Sequence, residues 1–294
     1  MANLQTSASL FLGGILSAAA AEPLLTEFET ARSAFTHNAE MDFDPGQGSL
    51  RVSKFEIRSL LSRPITPLDG LKIIPMAEYR LTDLDFDGIS SSYPIRDEEI
   101  HSLNLSAVAF SKRDDSRWIY GGWARAKMNS DFQDIGEDDF KFDLAAGAGY
   151  TFNPDFTLGF GAALVNLNGD EALYPGIFFN WNATEQMRVG LYGPIFVIHY
   201  SPSTLWQFSF RADPSGETAN ITDADGKSRA IEFQSYRIGL YGNRRLSDHI
   251  WLRAGAGITL GNEINLTETN GDERFGQNLD DGMFAQVALR LVTW

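Results

Sequence analysis

The stretch FKFDLAAGAGYTFNPDFTLGFGAAL, residues 140–164, alternates with a period of two, and its reading decides the fold. Phe140, Phe142, Leu144, Ala146, Ala148, Tyr150 and Phe152 fall on one face of an extended chain. Lys141, Asp143, Ala145, Gly147, Gly149 and Thr151 fall on the other. Asn153-Pro154-Asp155 then turns the chain, and Phe156, Leu158, Phe160, Ala162 and Leu164 repeat the pattern opposite Thr157, Gly159, Gly161 and Ala163. A long aromatic face backed by small and charged residues suits a hairpin with lipid on one side and a lumen on the other.

The same period recurs outward from this hairpin, over residues 71–82, 103–111, 118–129, 205–212, 250–261 and 283–294. It recurs less regularly over 49–61 and 231–243, where a phase slip suggests a β-bulge in each. Connections are alternately short (112–117, 153–155, 182–186, 201–204, 244–248) and long and polar (83–100, 130–139, 214–229, 262–281). That alternation holds if residues 187–201 form two short strands turned near Gly193-Pro194. Parity then requires one more strand before 49–61, for which residues 36–43 are the candidate. The expectation is an all-β, antiparallel, up-and-down transmembrane barrel of about fourteen strands, or about twelve if 187–201 is one strand, with a periplasmic C-terminus. Trp118, Trp181, Trp206, Trp251 and Trp294 all fall near short turns or the C-terminus, as an interfacial girdle on one side would require; Trp123 does not.

Composition excludes other classes. Hydrophobic residues make up 43%, yet past the N-terminus no run approaches the length of an apolar spanning helix, so a helical membrane protein is excluded. With 24 Lys and Arg against 39 Asp and Glu, the net charge of -15 argues against nucleic acid as a partner. The absence of Cys removes disulfides and thiolate chemistry. At the N-terminus, Leu10, Phe11, Leu12, Ile15 and Leu16 followed by the small residues before Glu22 read as an export signal over residues 1–21. Residues 22–35 place Leu24, Phe28, Ala31 and Phe35 at helical spacing, which suggests a short amphipathic helix ahead of the barrel at 36–294.

The hairpin around Asn153-Pro154-Asp155, the run 236–261 and a last strand ending in an aromatic residue carry a resemblance. From about residue 48 to the end, the chain resembles bacterial outer-membrane β-barrel proteins, of an uncharacterised barrel family. That resemblance implies the bacterial outer membrane as location, with its lipid and lipopolysaccharide as partners. It also implies that Trp294 is part of the signal read by the barrel-assembly machinery, although Phe is the commoner terminal residue. It names no solute.

Candidate chemistry is sparse. His37, His101, His199 and His249 lack metal-binding spacing, and His199 near Ser201 and Ser203 is a poor hydrolase signature, so no catalytic residue is expected. Asp83, Asp85 and Asp87 before Gly88 match the first half of a calcium loop, but Pro94 stands where the closing Glu belongs. Calcium in an extracellular loop is thus the one cofactor the sequence suggests, the alternative being a solvated acidic surface. Sorting charges by strand face places Arg51, Arg58, Lys72, Arg80, Arg125, Lys127, Lys141, Arg188, Arg211, Arg237, Arg253 and Arg290 inward, against Glu56, Glu78, Asp143 and Glu232. Lipid cannot hold these cations, since each costs about 2 to 4 kcal/mol at the bilayer midplane. The expectation is a pore or small-solute conduit with a basic lumen. The alternatives are a lumen closed by arginine bracing, or an adhesion barrel working through its acidic loops.

Overall fold

The computed structural model describes residues 29–292 apart from 45, 47, 90–94, 113–114, 134, 168–169, 223–225 and 269–272. The expected export signal and Trp294 lie outside the described residues. In chain order the strands are β1 (Ala31–Asp44), β2 (Ser49–Leu60), β3 (Ile65–Leu68), β4 (Leu71–Asp87), β5 (Glu98–Lys112), β6 (Trp118–Ser130), β7 (Phe140–Asn153), β8 (Phe156–Leu167) and β9 (Asp170–Asn182). They continue with β10 (Met187–Tyr192), β11 (Ile195–Tyr200), β12 (Trp206–Pro214), β13 (Glu217–Thr222), β14 (Ser228–Arg245), β15 (Ile250–Glu268), β16 (Glu273–Leu279) and β17 (Gly282–Leu291).

Fourteen of them pair antiparallel in the cycle β1-β2-β4-β5-β6-β7-β8-β9-β10-β11-β12-β14-β15-β17. The cycle closes where β17 returns to β1, from Ala31 opposite Leu291 to Asn38 opposite Phe284. Residues 187–201 are indeed two short strands, β10 and β11, turned at Gly193 with φ +61°, so the count is fourteen and not twelve. The bulge expected in 231–243 falls instead on its partner β15, where Leu260 to Glu263 spans one residue more than Gln234 to Tyr236 opposite. The one expected in β2 falls instead on its partner β1, between Asn38 and Met41.

Three readings of the sequence need correction. Ala31 to Phe35 are not helical; they pair with both β2 and β17. Ala31 and Phe35 are four residues apart, which is one face under either period, so their spacing did not distinguish the two. The connections at 214–229 and 262–281 are not loops either, since they contain β13 and β16, which continue β12 and lead into β17. Trp251 faces the lumen side with Arg290, whereas Trp118, Trp181 and Trp206 are exposed on the outer face.

Outward rows carry exposed Phe35, Phe142, Phe160, Leu173, Ile177, Leu240 and Val287 around the circumference, an apolar belt that marks a membrane-spanning wall. On β4 the outward row runs Ile73, Pro75, Ala77, Tyr79, Leu81 and then Asp83, Asp85, Asp87, so the belt ends at Leu81. Inside, small residues make room for large ones: a Cβ on Gly159 would lie 2.0 Å from the Phe178 ring. Phe178 belongs to an apolar cluster with Ile74, Phe110, Trp123, Val165 and Tyr192 that fills one side of the interior near the short turns.

Near the long connections the circumference changes. There β13 lies between β14 and β6, joined to β6 by a parallel pair of Asn220 with Ser130, while β16 lies between β15 and β1. The cycle at that height is β1-β2-β4-β5-β6-β13-β14-β15-β16, nine strands, and it leaves β7 to β11 outside it. Barrel diameter grows roughly linearly with strand number, so this ring is narrow enough to be filled by side chains. Met41, Leu50, Leu84, Ile100, Ile221, Ile231, Phe233, Ile264 and Leu266 fill it.

The seam of the larger cycle is clasped just ahead of β1. Glu29 bonds Arg58 of β2 at 3.1 Å and Arg290 of β17, so one carboxylate ties the first strand's two neighbours together. Burial would raise the Glu29 carboxyl, but Arg58, Arg290 and Arg32 outweigh it and hold it at about 2. A depressed carboxyl contributes stability that is present above its unfolded value and is lost as pH falls through the folded one. Glu29→Gln is therefore expected to lower the temperature at which the compact band converts to the unfolded band in semi-native gels. The difference from wild type should be full above pH 4.5 and shrink as the pH falls toward about 2. A constant difference across that range would show that the clasp is not electrostatic.

Candidate functional site: the basic lumen

Below the nine-strand ring the fourteen-strand section encloses a cavity of about 520 Å³. The alternation that sends Phe and Leu to the lipid sends every second residue here. β2 contributes Lys54, Glu56 and Arg58, β4 Glu78 and Arg80, β6 Arg125 and Lys127, β12 Arg211 and Asp213, and β14 Arg237. Arg32 of β1, Arg188 of β10, Arg253 of β15 and Glu217 of β13 complete the charged lining, ten cations against four carboxylates. One stretch of wall is apolar, formed by Val165, Tyr192, Ile195 and Val197. Toward the short turns a vestibule of about 830 Å³ opens, lined by Gln207, Trp251, His249 and Arg290, and Arg188 lines both spaces.

The carboxylates are shared among cations. Asp143 on β7 accepts from Arg125 Nη2 at 2.6 Å and lies 3.3 Å from Lys127 Nζ. Asp213 accepts from Arg211 and from Arg237, each at 2.9 Å. Arg80 donates to Glu78 at 2.7 Å and to Glu217 at 2.8 Å. Among the described residues, Arg253 and Lys54 have no carboxylate within ion-pair distance. Arg253 stacks 4.0 Å over the Tyr241 ring with its Nε buried and unbonded, and Lys54 lies 5.6 Å from the Phe233 ring centroid. Braced clusters and uncompensated cations thus coexist, and the lining keeps a positive excess.

The cavity is roofed by β13. Pro214, Ser215 and Gly216 bend the chain inward from β12, and a Cβ on Gly216 would meet the Phe233 carbonyl at 2.8 Å, so the corner needs glycine. Glu217, its side chain 2% exposed, accepts from Ser102 Oγ at 2.6 Å, Arg80 Nη1 at 2.8 Å and Thr82 Oγ1 at 3.2 Å. Farther along, Asn129 donates to the Thr218 carbonyl, Thr222 N to Asp131, and Arg96 to the Thr222 carbonyl. Together with one ladder pair, these bonds hold the roof to β6 and its neighbours.

Of the lumen residues expected from sequence, Arg80, Arg125, Lys127, Arg188, Arg237 and Arg253 line the cavity and Arg290 lines the vestibule. Lys141 pairs in register with Lys127 but lines neither space. Arg51 is corrected to the outer face, where it bonds Asp85 at 2.8 Å, because β2 is regular and its even-numbered residues point inward. Glu232 is on the face opposite Ile231 and Phe233, which point into the ring. Missed were Arg32 and Lys54, whose alternation with outward Phe35, Phe55 and Ile57 was the available signal. Asp213 and Glu217 were also missed, at the end of β12 and beyond it, where the sequence read as a loop.

Asp83, Asp85 and Asp87 do not form a loop. They stand on one face at the end of β4, with Glu99 in register opposite Asp83. Burial, Glu99, Asp85 and Asp97 push the Asp83 carboxyl up. Alternate positions on an extended strand spread side chains along a row and do not converge them on an ion. No group of three or more metal-ligating side chains occurs among the described residues. His199 faces the lumen cavity, while Ser203 Oγ accepts from the Leu205 and Trp206 amides in the turn below.

Breaking a buried ion pair costs about 3 to 5 kcal/mol when one partner is left uncompensated. Replacing both Arg125 and Lys127 by Gln is therefore expected to destabilise the folded barrel in detergent. Adding Asp143→Asn should recover most of the loss, because Asp143 is fully buried and would no longer carry a stranded charge. Tryptophan fluorescence during thermal unfolding reads both steps, and failure of the third substitution to recover stability would show that the three residues do not act as a unit.

No curated protein sequence matches the chain. Among solved structures it is similar to the COG4313 outer membrane channel from Pseudomonas putida F1, at 10% identity over 90% of this chain and 96% of that one, TM-score 0.46. It is similar to a Pseudomonas aeruginosa FadL homologue at 10% identity over 98% and 96%, TM-score 0.46. It is also similar to the P. putida toluene transporter TodX at 8% identity over 92% of each, TM-score 0.40. A family model described as a domain of unknown function, DUF6268, matches residues 28–291, and the chain, a closed fourteen-strand β-barrel, belongs to that family.

Proposed function

We propose that this barrel is a channel for small solutes and that its lumen favours anions. The observation that carries the reading is the unfilled, net-positive cavity of the fourteen-strand section. A barrel whose only role was structural would gain from packing that space as the nine-strand ring is packed. Fixed cations lower the barrier for anions and raise it for cations. Arg188 lines both the cavity and the vestibule, so the proposed route in from the side of the short turns passes its side chain. Passage onward requires the roof to part, and the thinnest part of the ring is the β6–β13 seam, with its single ladder pair.

The test is a reversal potential across a planar bilayer under a salt gradient. Wild type is expected to prefer anions. Arg253→Gln should weaken that preference without loss of folding, because Arg253 has no carboxylate to strand. Neutralising Arg125 and Lys127 as well should weaken it further, provided Asp143→Asn accompanies them. Cation selectivity in wild type would refute the basic-lumen reading. An absence of conductance under all conditions would refute the channel and favour a braced, closed barrel.

A further inference from the structure

The roof strand holds its own anion in the wall of the lumen. Glu217 is the one lining carboxylate that comes from β13, and its three donors, Arg80 Nη1, Thr82 Oγ1 and Ser102 Oγ, all belong to the β4–β5 wall. They are side-chain donors set in regular strands, and β4 and β5 pair without interruption from Leu71 opposite Ser111 to Leu84 opposite Glu98. The donors are thus positioned by a ladder that does not depend on Glu217. Lys54 of β2 lines the same cavity and has no carboxylate partner among the described residues. Remove Glu217, and a pocket with a guanidinium and two hydroxyls remains, facing a basic cavity.

We propose that the Arg80–Thr82–Ser102 pocket is a binding site for small carboxylates, that Glu217 is its tethered occupant, and that a solute carboxylate competing with Glu217 loosens β13 from β6. This deepens the channel reading above and rests on it for the identity of the solute's path. A tethered group competes with an effective concentration set by its linkage, so a free carboxylate displaces it only when concentrated in the lumen. The excess of cations over acids supplies that concentration. Once Glu217 is displaced, the roof keeps its single ladder pair, the bonds from Asn129, Asp131 and Arg96, and the packing of Ala219 and Ile221.

The probe is acetate, and the first readout is stability, which does not require conduction. In Glu217→Ala the pocket is vacant, so sodium acetate, compared with sodium chloride at equal ionic strength, is expected to raise the melting temperature by mass action. Wild type should show no such rise, because its pocket is filled. The rise should be lost in Glu217→Ala with Ser102→Ala, and in Glu217→Ala with Arg80→Gln; the serine variant serves where the arginine variant fails to fold. The second readout is conductance, where Glu217→Ala should open more often than wild type with or without acetate, because acetate fills the pocket without tethering β13, and concentrated acetate should raise the opening of wild type. An equal response of wild type and Glu217→Ala to acetate, or none in either, would overturn the site. An acetate-specific rise in melting temperature confined to Glu217→Ala, in a barrel that conducts nothing, would keep the site and remove the channel.

Discussion

An extended chain in a bilayer must pair every backbone amide with another strand, because hydrocarbon offers no other partner. For this chain the requirement comes to rest on one contact, the pairing of β1 with β17, which turns a sheet with two edges into a wall with none. Everything inside follows from that closure. Alternating residues are then either in lipid or enclosed, so arginines excluded from lipid gather in the lumen without any one of them being drawn there by a partner. Glu29 sits at this seam and spans it, so the only carboxylate ahead of β1 among the described residues is spent on holding the cycle shut.

The second organising fact is that the wall has two circumferences. Nine strands enclose a space that Leu, Ile and Phe fill; fourteen enclose one that side chains from opposite walls do not fill. The cations therefore collect at the one height where there is room for water around them. Their pairing pattern reflects the same shortage of acid: Asp143 and Asp213 each serve two bases, and Arg80 is the exception that holds two carboxylates.

Much of this was legible in the sequence, and the limits of that reading have physical causes. Where strands are regular, as in β5 to β8, period two alone places each side chain, and Arg125, Lys127 and Asp143 were read inward correctly. The short β10–β11 pair was legible because alternating loop lengths forced it. Reading failed where a strand breaks and resumes. Pro214 and Gly216 interrupt the period between β12 and β13, and the polar residues around them resemble a surface loop, although Ala219 and Ile221 are core. Arg51 was misplaced because the bulge is on the partner strand, and a bulge shows in the sequence of one strand only. The acidic row on β4 shows the converse: aspartates at alternate positions satisfy a calcium-loop spacing and also a strand face, and only the pairing with β5 tells them apart.

A wall with two circumferences also has two levels of cooperativity. Every seam of the fourteen-strand cycle is joined by a ladder of at least five register pairs, the shortest being those on either side of the β10–β11 pair. The nine-strand ring depends at one point on a single ladder pair and a few side-chain bonds to β13. Local opening draws on the weakest boundary of a structure and need not approach the global free energy. Amides of β13 are therefore expected to exchange on a different scale from those of β4 and β5, because β13 can swing away from β6 while its ladder to β14 and the rest of the wall stay formed.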